Sequence, residues 1–417
     1  MLALLAAFAT AMALGACGEK LDGGAACPAL CPAQDVDIKD TVLEAVAIDT
    51  SVAGFPSPGT EFYMLLAARG DTVDTRGVIR FDSLPTNYTR SSGGDTTITS
   101  VDSAFLQIRV DSVGTRATQP VTIEAYDVDT TAADTLLSAL EPLFRPDRLI
   151  GSATFAVAAL RDSLRVPISN ATVLAKIGGT KRIRIGLRAT SASSATVRLF
   201  TIETNGQSSL SFRPSADTAV KPIVVAPTSL SPAGDLALAA DLRDYTIVVK
   251  APPRDMGGVL TVGGLPSHRI YLRFAIPRFI VDSSTVLRAT LLLTQRPSAF
   301  GTAADSVIVF PVVVTASNAV TDIARAANVL SLPGLGIDSV RFVPSDSGAK
   351  EIDIVYALRQ WGAQAGSPTR TQEAIVLRAQ LEGATAGEAT FYSTEAPAAL
   401  RPRLRLSYVS RLDFGRP

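Results

Sequence analysis

In Arg269-Ile270-Tyr271-Leu272-Arg273-Phe274, the apolar residues Ile270, Leu272 and Phe274 alternate with Arg269, Tyr271 and Arg273. A period of two is that of an extended strand with one buried and one wet face. Val259-Leu260-Thr261-Val262 precedes it and ends in Gly263-Gly264, a turn signal. Val286, Leu287 and Ala289-Thr290-Leu291-Leu292-Leu293 follow as a further strand. Pro266 and Pro277 bracket a segment of strand length, which excludes a long helix there.

A strand with one greasy face must be covered, and a second sheet at ~10 Å does this. The expectation is an all-β chain. At 417 residues it exceeds one ordinary core, so two domains are expected. Charged residues make up 19% and hydrophobic ones 47%, the balance of packed rather than disordered protein. Lys plus Arg and Asp plus Glu both number 39, which gives no electrostatic footing for nucleic acid.

The first half repeats the pattern of the second. Val78-Ile79-Arg80-Phe81 matches Tyr271-Leu272-Arg273-Phe274, and Ala104–Ile108 matches Ala289–Leu293. Val121–Tyr126 answers Val307–Val312, where Pro311 implies an edge or a bulge. Ile185–Ala189 matches Ile375–Ala379, and Leu199-Phe200 with Glu203 matches Phe391-Tyr392 with Glu395. Leu210 and Phe212 close one copy as Leu404 and Leu406 close the other. The matches keep chain order at a nearly constant offset. Residues 45–215 are therefore read as a first β-sandwich, 216–242 as a Pro-punctuated linker and 243–410 as a second sandwich, with 411–417 a tail. Ile223-Val224-Val225, in the linker, has the composition of an edge strand. Ile352–Trp361 shifts from period two to helical spacing, predicting a helical turn with Leu358 and Trp361 inward, and Ala171–Ile177 is its counterpart.

Residues 2–16 form an apolar run of small residues, too short for a bilayer core that needs about 20 residues but of signal-peptide length. Leu14-Gly15-Ala16-Cys17 then resembles the lipobox of bacterial lipoproteins, although the run lacks a preceding Lys or Arg. That resemblance implies a signal peptide over 1–16 and lipidation at Cys17. With Gly18 and no Asp after the cysteine, it also implies an outer-membrane lipid anchor facing the periplasm or the cell surface. Several acyl chains at ~0.8 kcal/mol per CH₂ make such anchoring durable. Residues 17–44 read as a tether. Within it, export makes a local disulfide between Cys27 and Cys31 plausible, with free thiols the alternative.

LTVGGLPSHRIYLRF, VLRATLLL, IDIVYALRQW, AIVLRA and FYSTEAPAALRPRLRLSY, spread over residues 247–409, together resemble the DNRLRE-type domain of bacterial secreted and surface proteins. The resemblance implies a jelly-roll-like β-sandwich, mostly an accessory module, with some members linked to carbohydrate binding. The family's Asp after the Arg-Phe pair is Ala275 here, while Asp82 holds that place in the first copy. The name-giving motif is absent.

Catalytic constellations are sparse. A nucleophile needs a base beside it, and the one histidine, His268, reads as an exposed loop residue in Pro266-Ser267-His268-Arg269. No Walker-type loop or metalloprotease motif occurs. Zinc is disfavoured because four ligands are needed. A glycosidase needs only two carboxylates at a set separation, which sequence spacing does not show. Glu203 and Glu395, at equivalent strand ends, read better as structural ion pairs with Arg80 and Arg273. Asp127, Asp129 and Asp134 could offer oxygens to Ca²⁺, but a solvated loop is the better reading. With aromatics at 6%, sugar-stacking platforms are few; Tyr88, in the polar loop Asn87–Asp95, is the best exposed candidate. The expected function is a non-catalytic envelope lipoprotein, a structural or interaction module without a cofactor. Its expected partners are the membrane, through the anchor, and a polysaccharide or another envelope protein. A carbohydrate-binding surface lipoprotein is the alternative, and a glycoside hydrolase comes third.

Overall fold

The computed structural model describes residues 38–44, 46–130, 136–206, 208–229, 242–252, 257–298, 303–314, 339–363 and 374–411. The fold is all-β, built of antiparallel strands with a few short helices. Two main cores form. One gathers residues from Met64 to Val225, the other residues from Leu260 to Tyr408. The first lies between a seven-stranded and a four-stranded sheet. Around the second, a single eleven-stranded sheet curls into both layers. Its long strand Ser284–Arg296 pairs with Arg403–Ser410 in one layer and, at Gln295 and Arg296, with Glu388–Tyr392 in the other.

Each predicted strand match has a structural counterpart. Val73–Phe81 pairs with Ile183–Ser191 as Ser267–Phe274 pairs with Ala374–Ala379. Ser103–Arg109 pairs with Ser209–Arg213 as Ser284–Arg296 pairs with Arg403–Ser410. The helix Asn170–Gly178 buries Val173 and Ile177, and Val355–Ala363 buries Ala357, Leu358 and Trp361, so each plugs its core with one apolar face. Ser169 caps the first, accepting from Thr172 N at 3.2 Å. Pro311 lies past the end of the short neighbour Val340–Phe342, where its missing N–H leaves no gap in that ladder. Ile223–Val225 does add an edge strand, on Ser209–Arg213. The five-residue helix Arg278–Asp282, which packs Ile280 and Val281 into the second core, has no clear periodic signal.

Strand pairing crosses the expected division of the chain in both directions. Val46–Phe55, expected in the first sandwich, pairs along Ser267–Phe274 of the second. Ile38–Leu43, expected within the tether, is a strand on Arg403–Ser410. Conversely, Asp244–Lys250, expected in the second sandwich, pairs along Val73–Phe81 of the first. The two incoming pairs occupy equivalent places, because Ile223–Val225 sits on the first sandwich's closing strand as Ile38–Leu43 sits on the second's. The repeats have exchanged their leading strands.

The exchange also explains a burial pattern that alternation does not predict. Arg269 and Tyr271, expected on a wet face, are buried. Tyr271 packs outward against Val52 and Phe55 of the exchanged strand, with Val312, Ala374 and Val376. Tyr245 and Ile247 cover the other sandwich likewise, against Val78, Tyr126 and Val128. Each such side chain contributes about 1.5–3 kcal/mol when fully buried. A further cluster joins Leu65, Ala67 and Val73 to Leu265, and Arg69 pairs with Asp305 at 2.7 Å, so the sandwiches also touch directly.

Candidate functional site

A polar recess forms where an exchanged strand meets the turn after the strand Glu388–Tyr392, the equivalent of Ala195–Phe200. In each sandwich the incoming strand brings an aspartate to that turn. Asp49 Oδ2 accepts from Thr394 N at 2.8 Å and Thr394 Oγ1 at 2.7 Å. Asp244 Oδ2 accepts from Ile202 N at 3.2 Å. Two residues on, a hydroxyl completes the seam: Ser51 Oγ accepts from Thr261 N at 2.7 Å, Thr246 Oγ1 from Leu65 N at 3.1 Å. Alternation puts Asp and hydroxyl on one side of each strand.

In the first sandwich this place is closed. Glu61 is buried there, accepting from Gly59 N at 2.6 Å and Thr246 N at 3.3 Å. Burial pushes its carboxyl up to about 8, with the nearby Asp244 adding to the rise. Burial likewise pushes Asp244 up to about 7, with Glu203 adding to it and Arg243 opposing it. Burial thus favours the neutral forms of Glu61 and Asp244.

In the second sandwich the same place is open. A cavity of about 240 Å³ is lined by Asp49, Ser51, Thr261, His268, Ser393 and Glu395 and floored by Gly258 and its neighbours. Gly258 takes φ +63°, a left-handed conformation that favours glycine. His268 is buried, the second residue of its strand rather than an exposed loop residue, with Nδ1 3.1 Å from the Pro266 carbonyl. Strand pairing, which a local motif does not encode, withdrew it from solvent.

Other expected site residues lie apart. Arg80 is paired with Asp82 at 2.8 Å, and Arg184 reaches the same carboxylate at 3.1 Å. Burial opposes that charge, but the two guanidiniums outweigh it and hold Asp82 below its ordinary value. This gives the first copy's Asp after Arg-Phe a structural role. Asp127 and Asp129 are not a solvated loop: Lys176 sits 3.0 Å from both and Arg182 2.9 Å from Asp129. Asp134 lies outside the described residues. Tyr88 is half-buried and packs partly against the first core, so it is less exposed than expected. It lines an open groove of about 390 Å³ with Asn87, Arg90, Ser91 and Lys221. Trp361 is core, as its spacing implies. Leu14, Gly15, Ala16, Cys17, Cys27 and Cys31 lie outside the described residues, and no helix among those described is long and apolar enough to cross a membrane. Asp49 and Glu61 carry no motif. The one available signal was that Asp49 and Asp244 share nearly the offset of the other matched pairs.

A third cavity, about 220 Å³ between the sandwiches, is lined by Arg69, Arg198 and Asp305, and these are already paired with one another or with Asp111.

No family model matches the sequence, and no curated protein does. Structural similarity is weak. Allantoicase from Saccharomyces cerevisiae is 9% identical with a TM-score of 0.16, covering 74% of this chain and 73% of that one. A chain named BspA_C_WT is 8% identical with a TM-score of 0.17, covering 84% and 91%. The infectious bursal disease virus VP2 subviral particle is 12% identical with a TM-score of 0.12, covering 89% and 78%. Scores this low bear on neither fold nor function.

Proposed function

We propose that the chain is a non-catalytic lipoprotein of the bacterial cell envelope, a two-sandwich structural or interaction module hung from Cys17. The Leu-Gly-Ala-Cys sequence supports the anchor. The reciprocal strand exchange supports the module, since it ties both sandwiches into one interlocked body through main-chain ladders at four seams. Asp82 with its two arginines forms a buried ion-paired group that stabilises the scaffold. Substituting Cys17→Ala tests the anchor: the protein is expected to leave the membrane fraction, and continued sedimentation with membranes overturns it.

A carbohydrate-binding lipoprotein is the second reading, and the groove at Tyr88 supports it. The Tyr88 side chain, three amide or hydroxyl side chains (Asn87, Thr89 and Ser91) and two cations line an open recess. Pull-down on envelope and plant polysaccharides, with Tyr88→Ala as control, tests it. Absence of retention on every glycan removes it.

A further inference from the structure

We propose that the cavity between Val46–Phe55 and Val259–Gly263 binds a small ligand carrying a primary ammonium group. The inference is independent of the anchor and of the Tyr88 groove, and it starts from the difference between the two copies.

The registers make the comparison residue by residue. Met64 lies opposite Leu199, and Leu260 opposite Phe391, so Glu61 and Phe62 correspond to Gly257 and Gly258. Asp244 lies opposite Ile79, and Asp49 opposite Leu272, so those aspartates correspond as well. Both seams keep the same two hydrogen bonds, from the turn to the Asp and from the neighbouring strand to the hydroxyl. The filling differs. In the first copy the Glu61 side chain occupies the gap. In the second, two glycines bring no side chain, and a Cβ on Gly258 would stand 3.2 Å from Glu395 Oε2. The two sites share the scaffold of these hydrogen bonds, and the Glu61 plug belongs to the first copy.

What remains is an electronegative recess. Two carboxylates, Asp49 and Glu395, the hydroxyls of Ser51, Thr261 and Ser393 and the His268 ring line it, and no Lys or Arg does among the described residues. Two like charges facing one recess attract a cation. An ammonium donates three hydrogen bonds, which carboxylate and hydroxyl oxygens accept. Two alternatives fit less well. Among the described residues no group of three or more His, Cys, Asp or Glu is placed to hold a metal ion. No Phe, Tyr or Trp among the described residues lines the cavity, so a quaternary ammonium would find no cage of such rings. The volume, about 240 Å³, lies below the range of roughly 300–1,000 Å³ for drug-sized ligands, so the ligand is small.

Isothermal titration of the full chain in detergent, at neutral pH and low salt, tests the proposal with glucosamine, putrescine and glucose. One or both amines should bind at a single site, and glucose should not. Binding of glucosamine alone identifies an amino sugar as the source, and binding of both a general ammonium site. Glu395→Gln, at an exposed position that the fold tolerates, should weaken amine binding by about tenfold or more, while Tyr88→Ala leaves it unchanged. Absence of amine binding, equal binding of glucose, or an unaltered Glu395→Gln variant overturns it.

Discussion

The Asp49 carboxylate holds both the main-chain N–H and the hydroxyl of Thr394, 345 residues further along the chain. Asp244 holds Ile202 in the matching place of the other sandwich. Each aspartate thus stabilises a turn in the half of the molecule to which its flanking sequence does not belong.

The first prediction concerns pH. Glu61 and Asp244 are raised to about 8 and about 7 in the folded chain, burial being the main cause in both. Their neutral forms are favoured by folding. Their contribution is therefore complete below the ordinary carboxylate range and is lost as pH rises through 7 to 8. The urea midpoint should fall between about pH 5 and about pH 9, and Glu61→Gln should flatten that fall. Equal slopes for native and variant chains would contradict the buried-acid assignment.

The second concerns the triad of Arg80, Asp82 and Arg184. All three side chains are buried, and one carboxylate serves two guanidiniums. Removing its charge takes a shared counter-charge from two buried cations. Asp82→Asn should cost about 3–5 kcal/mol in urea unfolding. A loss under ~1 kcal/mol would mean the site is wetter than its burial indicates.

The third concerns the clamp on the exchanged strand. Arg269 reaches both Glu382 oxygens, at 2.6 and 2.7 Å, and its guanidinium lies 3.6 Å from the centroid of Phe55. A lysine keeps the charge but loses the fork and the flat stacking surface. Arg269→Lys should cost roughly 2 kcal/mol, and Phe55→Ala combined with it should be less than additive, as measured by a double-mutant cycle.

Much of the fold was readable because strand periodicity states which face of a segment is buried. Ile270, Leu272 and Phe274 do face the core, and the change to helical spacing at Leu358 and Trp361 does mark a plug. Periodicity does not state which neighbour a strand pairs with. Val46–Phe55 and Asp244–Lys250 fit either sandwich by pattern alone, since the repeats offer equivalent edges. The choice rests on long-range contacts such as Tyr271 with Val52 and Tyr245 with Val78. The same limit hid the recess, because His268, Glu395 and Asp49 converge only once the exchanged strand is in place.

Hydrogen exchange read by mass spectrometry in an Asp49→Ala chain tests the exchange of leading strands most directly. Exchange should speed up in peptides covering 388–396 and stay unchanged in those covering 195–204. Acceleration confined to 195–204 would place Asp49 in the first sandwich and contradict it.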